Sequence, residues 1–389
     1  MAHQRHDRFL TQTPLDRAQF SGTQEYTYLN HAAVGVLPSR TRSALQTFID
    51  AHAGSGVMGA WPYEARLPEY RAAVAAFINA KPAEIALLRN TGDGANVLAH
   101  GIDWQEGDEI VTADNEFPAN VYPWLQCRRY GVNVRFVRTE RERMTPDVLA
   151  RTMTSRTRLV SVSWVSFADG YRHDLTALAQ VAHRGGALLC VDVIQGLGAL
   201  PIDVQAMGVD AAYGGGAKWL MALQGVSFLY VREPLLDRLR LAWPGWRSAA
   251  DMWDFLDYDQ PATAAASRFE GGTPNIIGAL SLAESIAELK RPNVEAHVLA
   301  LTDQLAEGLH SIGARILSRR GAGVSSAILL FTLPGCDSIA VGRALQEEQI
   351  VTTYRSNGVR VAPHGYNTPE EIGRLLEVTA RARTFLKSA

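Results

Sequence analysis

The fold is decided by LLCVDVIQ at residues 188–195 together with GGGAKW at residues 214–219. The first stretch contains an apolar run typical of a buried strand, and the run stops at an acid, Asp192. The second stretch follows another apolar run and leads to a lysine, Lys218. A carboxylate and an amine that each come at the end of a buried strand predict one shared site.

Strand-like and helical segments alternate from about residue 84 to residue 231. This alternation predicts an α/β fold in which helices cover both faces of a mainly parallel sheet. Ligands bind such sheets at the carboxyl ends of the strands, and Asp192, Lys218 and Phe117 all follow predicted strands. An acid and a lysine placed there suit a pyridoxal ring, with the lysine as Schiff base and the acid on the ring nitrogen. The strand-like runs cover residues 83–88, 109–112, 132–137, 157–164 and 209–213.

The composition is that of an ordinary globular protein of 389 residues, of which 47% are hydrophobic and 20% charged. A formal net charge of −2 gives no reason to expect nucleic acid or a membrane surface as a partner. No apolar run reaches the roughly 18 residues of a membrane span, and the polar start of the chain lacks a secretory signal. We therefore expect a cytoplasmic enzyme. The cysteines, Cys127, Cys190 and Cys336, are widely separated and fit neither a metal site nor a disulfide framework.

The chain changes character after a predicted helix at residues 276–290. We expect a large domain at residues 21–289, preceded by a polar N-terminal arm at residues 1–20. Beyond it we expect a small α+β domain at residues 290–389, with an irregular stretch before Arg360. The other predicted elements of these regions are helices at residues 40–52, 66–79, 294–312, 337–348 and from 368, and a strand at residues 325–332.

Several motifs occur together in this chain. They are YLN at residues 28–30, EFPANVYPW at 116–124, D-x-x-Q at 192–195, KWL at 218–220 and EGGT at 270–273. In this order they resemble the class V aminotransferase family of fold-type I pyridoxal 5′-phosphate (PLP) enzymes, in the branch of cysteine desulfurases and isopenicillin N epimerase-like enzymes. The resemblance implies a large domain with a mainly parallel seven-stranded sheet and a smaller α+β C-terminal domain.

The resemblance implies a role for each residue around the cofactor ring. Lys218 would form the internal aldimine and then carry the proton of the substrate α-carbon, since a desolvated lysine loses its own proton more easily. Asp192 would keep the pyridine nitrogen protonated, and Gln195 would hydrogen-bond the ring 3-oxygen. Phe117 would stack on the ring. The alternatives are a helix N-cap for Asp192 and a core side chain for Phe117.

The phosphate site is expected at residues 90–96, where a glycine-containing turn opens a helix and presents free N–H groups to an anion. By resemblance, Thr91 and the amides of Gly92 and Asp93 form the phosphate cup. The alternative is that Thr91 or Asp93 is a plain N-cap. Thr273 matches a residue that reaches the phosphate of the neighbouring subunit, which implies a homodimer with shared active sites.

The substrate is expected to be a small amino acid. Arg360 matches the arginine that holds the substrate α-carboxylate, because a planar guanidinium binds a carboxylate through two hydrogen bonds. The alternative is a surface arginine. Asn30, His31 and Trp246 are expected to line the substrate pocket.

Two features depart from the family pattern. Where the family has Ser-x-His-Lys, with a hydroxyl and a histidine on the phosphate, this chain has Gly215-Gly216-Ala217-Lys218, and Gly92 replaces a common second threonine. Each lost donor removes about 1.5–3 kcal/mol, so the backbone amides, Thr91, Thr273 and water must hold the phosphate. The loop at residues 356–359 also lacks the desulfurase cysteine, so persulfide formation is not expected.

These residues predict a PLP enzyme that acts on an α-amino acid through an aldimine and a Cα carbanion. Aminotransferase-type chemistry is favoured narrowly over a C–S β-lyase, which needs no cysteine nucleophile. Amino-acid epimerisation and a catalytically lapsed PLP-fold binding protein are further alternatives. Lys218, Asp192 and Arg360 would serve all three reactions, so they do not choose among them.

Overall fold

A computed structural model describes residues 13–139 and 142–387 of the chain. Its strands are β1 Thr27–Tyr28, β2 Ile85–Leu88, β3 Glu109–Ala113, β4 Asn133–Val137, β5 Thr157–Ser163, β6 Leu188–Asp192, β7 Ala211–Gly215, β8 Ser227–Val231, β9 Arg315–Ile316, β10 Leu329–Thr332, β11 Ile350–Val351, β12 Thr353–Arg355 and β13 Gly358–Val361. Its helices are α1 Ser39–Ser55, α2 Val57–Glu64, α3 Leu67–Ile78, α4 Thr91–Gly101, α5 Tyr122–Gln126, α6 Pro146–Thr152, α7 Leu175–Arg184, α8 Glu233–Leu236, α9 Ile276–Leu289, α10 Val294–Ser311, α11 Ser338–Glu347 and α12 Pro369–Lys387. None of these helices is both long enough and apolar enough to cross a lipid bilayer.

The central sheet of the described chain has seven strands in the order β2-β8-β7-β6-β5-β3-β4. Strands β3 to β7 are parallel, and β8 runs antiparallel to both β7 and β2. All five residues of β8 are buried, as expected when helices cover both faces of a sheet. The predicted α/β fold with a mainly parallel seven-stranded sheet is therefore confirmed.

A second, antiparallel sheet lies in the C-terminal region, with the order β12-β13-β10-β9. Its core includes Leu305, Phe331, Val359 and Leu375, which come from its strands and from α10 and α12. Leu29, from the start of the chain, belongs to the same core, and the adjacent β1 pairs with β11. The N-terminal segment thus packs on the C-terminal region, while the division at residues 289 and 290 stays a prediction.

One expectation about local structure is wrong. The stretch before Arg360 is not irregular, because β12 and β13 form an antiparallel hairpin there. The predicted N-terminal arm falls mostly on residues 1–12, outside the described residues, and stays a prediction, while residues 13–20 pack against the rest of the chain. Leu15 and Phe20 are fully buried, and Arg17 pairs with Glu371 at 2.9 Å.

The start of α4 lies directly on the sheet because Gly94 has no side chain. A Cβ atom at Gly94 would lie 2.4 Å from the Cβ of Tyr213 in β7. We therefore expect Gly94→Ala to lower the free energy of unfolding by about 1–3 kcal/mol, the usual cost of overpacking a core. Gly54→Ala in α1 is the matched control, because a Cβ there meets no atom within 4 Å. Thermal unfolding of both variants checks this, and equal melting temperatures would contradict the close approach.

Candidate active site

Asp192 and Lys218 come together because β6 and β7 are parallel neighbours in the sheet. Asp192 is the last residue of β6 and is 1% exposed, and its Oδ1 accepts the N–H of Ile194 at 2.9 Å. Burial raises the pKa of Asp192 to about 7, and the nearby charge of Glu116 acts in the same direction. Burial also lowers the pKa of Lys218 to about 8, and the Arg360 charge adds to this effect. A share of the Lys218 amine is thus unprotonated and nucleophilic near neutral pH.

The backbone around Lys218 is fixed by the segment that follows Asn30. Gly35 donates its N–H to the carbonyl oxygen of Ala217 at 2.7 Å. A Cβ at Gly35 would lie 2.2 Å from the carbonyl oxygen of Lys218, so only glycine allows this approach. The segment therefore sets the position from which the Lys218 side chain starts.

Gln195 links this segment to the residue after the lysine. Its Nε2 donates to the carbonyl oxygen of Ala32 at 3.0 Å, and its Oε1 accepts the indole N–H of Trp219 at 3.0 Å. One N–H of the Gln195 amide stays available, so the predicted bond to the ring 3-oxygen is compatible with this arrangement.

The N-cap of helix α4 is neither Thr91 nor Asp93, the two residues that the sequence offered for that position. The N-cap is Asn90, whose side chain accepts the N–H of Asp93 at 3.0 Å. The amide of Asp93 is thus engaged, and its carboxylate pairs with Arg89 at 2.8 Å. The amides of Thr91 and Gly92 and the Thr91 hydroxyl are therefore the groups at this helix start that suit an anion, and the phosphate cup stays a prediction.

Gly215 stands where the family pattern before the lysine has a serine, and its surroundings are tightly packed. A Cβ atom at Gly215 would lie 3.3 Å from the Thr91 hydroxyl oxygen, which is closer than most real Cβ contacts. The carboxyl end of β7 therefore comes close to the start of α4. A serine in this position would need Thr91 to shift by a few tenths of an ångström, so glycine fits the observed packing without adjustment.

Arg360 presents a guanidinium that has no carboxylate partner among the described residues. Its Nη1 donates to the carbonyl oxygen of Phe167 at 3.0 Å, and its Nη2 makes a long contact of 3.4 Å with the hydroxyl of Thr353. Its Nε is buried and has no hydrogen-bond partner within the described ranges. Burial lowers the pKa of Arg360 to about 10, with Arg355 contributing. A largely buried cation with a free N–H is suited to bind an anion.

Phe117 is 42% exposed and lies beside the lysine, with the Lys218 Nζ 5.5 Å from the ring centroid. Phe167 packs perpendicular to it, with 5.3 Å between the ring centroids. The backbone carbonyl of Phe167 also accepts the hydrogen bond from Arg360, so the ring that packs on Phe117 belongs to a residue in contact with Arg360. An exposed aromatic face at this place is suited to stack on a planar cofactor.

The two predicted pocket residues from the N-terminal segment differ in their surroundings. Asn30 accepts a hydrogen bond from Thr353, the residue that also contacts Arg360. His31 is fully buried: its Nδ1 donates to the carbonyl oxygen of Ala362 at 3.1 Å, and its Nε2 accepts the hydroxyl of Tyr366 at 2.8 Å. Burial lowers the pKa of His31 well below its ordinary value. Both ring nitrogens are used, so His31 anchors the chain rather than lining an open pocket.

Trp246 and Thr273 are both exposed. The ring centroid of Trp246 lies 5.8 Å from that of Trp253 and 6.1 Å from that of Phe255. Trp61 stacks on Trp253 with 5.7 Å between the ring centroids. The role of Trp246 at the substrate and that of Thr273 at the phosphate of a neighbouring subunit stay predictions, because both side chains lie on the surface of the single chain.

The sequence predicts no role for Glu116, although the residue opens the motif at residues 116–124. The carboxylate is buried and accepts the N–H of Ser163 at 2.8 Å and an amide N–H of Asn120 at 2.9 Å. The signal available in the sequence was an acid four residues before an asparagine, in the loop that follows a strand.

The residues fit pyridoxal phosphate by the chemistry of their donors. Lys218 offers an amine for the aldehyde carbon, and Asp192 offers a buried carboxylate for the ring nitrogen. The start of α4 offers amides for the phosphate, and Phe117 offers a ring face. The orphaned Nε of Arg360 leaves a donor for the carboxylate of a substrate.

A family model for aminotransferase class V matches residues 27–375. The chain belongs to the aminotransferase class V family. It is therefore a PLP-dependent enzyme, and the sequence-based predictions of the family and of its cofactor are confirmed.

Relatives of this class V enzyme carry different names. A probable cysteine desulfurase from Methanothermobacter thermautotrophicus is 29% identical over 381 residues, which cover 91% of this chain and 94% of that protein. An uncharacterized aminotransferase, YcbU, from Bacillus subtilis is 28% identical, with 95% of this chain and 98% of that protein covered. The apo structure of a cysteine desulfurase from Thermococcus onnurineus NA1 matches with a TM-score of 0.86 at 25% identity, and the match covers 96% of this chain and 98% of that chain. These names leave the reaction open.

The raised pKa of Asp192 predicts a pH-dependent stability of the class V enzyme without cofactor. Between the ordinary value of 3.8 and about 7, the folded chain holds a proton that the unfolded chain has lost, so stability falls as pH rises through this window. Asp192→Asn removes this penalty, and its amide can still accept the N–H of Ile194. We expect the melting temperature of the apoprotein to rise relative to the parent by more at pH 8 than at pH 5, because only part of the penalty is present at pH 5. A gain that is equal at both pH values would contradict the assignment.

Proposed function

We propose that this enzyme transfers the amino group of a small α-amino acid to a keto acid. The observation that supports an α-amino acid as substrate is Arg360, a buried guanidinium without a carboxylate partner in the described chain, close enough to Lys218 to lower its pKa. Transamination is preferred to the other reactions of such a site on the family alone. Both substrates of a transaminase carry an α-carboxylate, so one arginine can hold each in turn. Its position fixes the α-carbon within reach of the lysine.

Each side chain has a distinct task in this proposal. Bound pyridoxal phosphate supplies an electron sink that makes the proton on the substrate α-carbon removable. Lys218 takes that proton at its Nζ, which the lowered pKa leaves partly unprotonated. Asp192 holds a proton at the ring nitrogen, Arg360 orients the carboxylate, and Phe117 excludes water from one face.

The cysteines argue against a desulfurase reaction, which needs a reactive thiol at the substrate. Cys127 and Cys190 are fully buried in the same hydrophobic cluster, and burial raises the pKa of Cys127 to about 12. Cys336 packs against the C-terminal core. A buried thiol of high pKa is a poor nucleophile.

A C–S β-lyase is the second candidate. It is favoured by the relatives that carry the name of a sulfur-releasing enzyme and by a site that holds Lys218 and Arg360 without a thiol. Expelling a thiol from the β-carbon needs the same proton removal but no nucleophilic cysteine. The retention of Lys218, Asp192 and Arg360 in one site argues against a lapsed binding protein.

We also propose a homodimer with shared sites. An exposed aromatic surface formed by Trp61, Trp246, Trp253 and Phe255 supports it, because monomers rarely expose large apolar patches. The exposed Thr273 is available to a second copy. A holoenzyme that sediments as a single chain would contradict this proposal. A cytoplasmic location stays a prediction.

The reaction is tested by incubating the holoenzyme with a panel of L-amino acids, including cysteine and cystine. Transamination is expected to give a keto acid together with pyridoxamine phosphate. Pyruvate with a released thiol or persulfide would establish the lyase instead. Formation of the D-enantiomer alone would show epimerisation, and either result would overturn the transaminase proposal.

Arg360 is tested by Arg360→Lys and Arg360→Ala. We expect KM for the amino acid to rise about 10- to 100-fold, since a charge-assisted pair is worth about 1.5–3 kcal/mol. Lysine should rescue little because it lacks the planar fork. Arg315→Ala, which removes an exposed arginine of the same sheet, is the control and should leave KM unchanged. An unchanged KM in both Arg360 variants would show that another group holds the carboxylate.

A further inference from the structure

Glu116 is a buried carboxylate that the proposed chemistry does not use. It directly precedes Phe117 and is only 9% exposed. Its hydrogen-bond partners in the described chain are neutral donors rather than a lysine or an arginine. Burying a carboxylate away from a cation is costly, so its presence beside the active site calls for a physical role.

The carboxylate joins the loop after β3 to the end of β5. Its Oε1 accepts the backbone N–H of Ser163 at 2.8 Å, and its Oε2 accepts the hydroxyl of Ser163. Oε2 also accepts an amide N–H of Asn120 at 2.9 Å. An ionised carboxylate is an acceptor only, and three donors satisfy it here. The loop is thus held on both sides of Phe117, by Glu116 before it and Asn120 after it.

Ser163, one of these contacts, lies at the same level of the sheet as Asp192. Ser163 is the register partner of Asp192 between β5 and β6, and Asp192 is the register partner of Tyr213 in β7. The Tyr213 hydroxyl donates to the side-chain oxygen of Asn120 at 2.6 Å. A set of buried hydrogen bonds therefore connects the Phe117 loop to β5 and β7, the two strands that flank β6 and its terminal Asp192.

We propose that Glu116 is a positioning residue that fixes Phe117 beside Lys218 and thereby sets the orientation of the cofactor ring. The inference rests on the proposed cofactor site. Phe117 is exposed and its loop has no regular strand of its own, so its place depends on these anchors. Glu116 acts through Phe117 and touches neither Lys218 nor the substrate carboxylate.

The test uses the holoenzymes of Glu116→Ala, Glu116→Gln, Phe117→Ala and the double variant Glu116→Ala/Phe117→Ala. The readouts are the dissociation constant of pyridoxal phosphate and the visible circular dichroism of the bound cofactor, which reports ring orientation. We expect Glu116→Ala to weaken cofactor binding about tenfold or more, as for a lost charge-assisted hydrogen bond. The double variant should bind no more weakly than Phe117→Ala, because residues that act as a unit are not additive.

Glu84 supplies the matched control. It is also buried and accepts two backbone N–H groups, but it lies before β2, at the opposite end of the strands. Glu84→Gln should leave the dissociation constant and the dichroism unchanged. Glu116→Gln, which keeps the shape of the side chain, carries the test if the alanine variant fails to fold, and it should alter the dichroism and lower kcat without raising KM.

Two outcomes overturn the inference. Dichroism and cofactor affinity that stay at parental values in both Glu116 variants would show that the carboxylate does not set the ring. Losses that simply add in the double variant would show that Glu116 does not act through Phe117. A parent protein that binds no pyridoxal phosphate would instead defeat the proposed function, so the two failures can be told apart.

Discussion

The site depends on one electrostatic constraint, the burial of an acid and an amine together at the end of a parallel sheet. Asp192 ends β6 and Lys218 follows β7, so strand pairing brings them to the same edge. Desolvation moves both pKa values towards neutrality, while each charge partly offsets the penalty on the other. A ligand with a cationic ring nitrogen and a reactive carbonyl carbon satisfies both groups at once.

The sheet and the placement of Asp192, Lys218 and Phe117 could be predicted because they follow from apolar runs and from the rule that ligands bind at carboxyl strand ends. The strands of the Arg360 hairpin could not, because Thr353–Arg355 and Gly358–Val361 are too short to show a period, and tertiary pairing stabilises them. His31 was expected in the pocket, yet it bonds Tyr366, a partner 335 residues away in the sequence. Such long-range hydrogen bonds leave no local pattern.

The phosphate end of the site is built on backbone rather than on charged side chains. Gly215 lies close to the Thr91 hydroxyl. The side chain of Asn90 accepts the N–H of Asp93, so the first two N–H groups of α4 remain available to an anion. The serine and histidine donors of the family pattern are absent before Lys218. We therefore expect the ring contacts of Asp192 and Phe117 to contribute a larger share of the cofactor affinity. Glu116 is proposed to support these contacts by anchoring the Phe117 loop to Ser163.

The lysine that carries the cofactor is identified most directly by reducing the purified holoenzyme with borohydride and mapping its peptides by mass spectrometry. Reduction makes the link between the cofactor and its lysine permanent. We expect the phosphopyridoxyl group on the peptide that contains Lys218, and we expect no such label in the Lys218→Ala variant. A label on another lysine, or a label that persists in that variant, would contradict the central claim that Asp192 and Lys218 form the cofactor site.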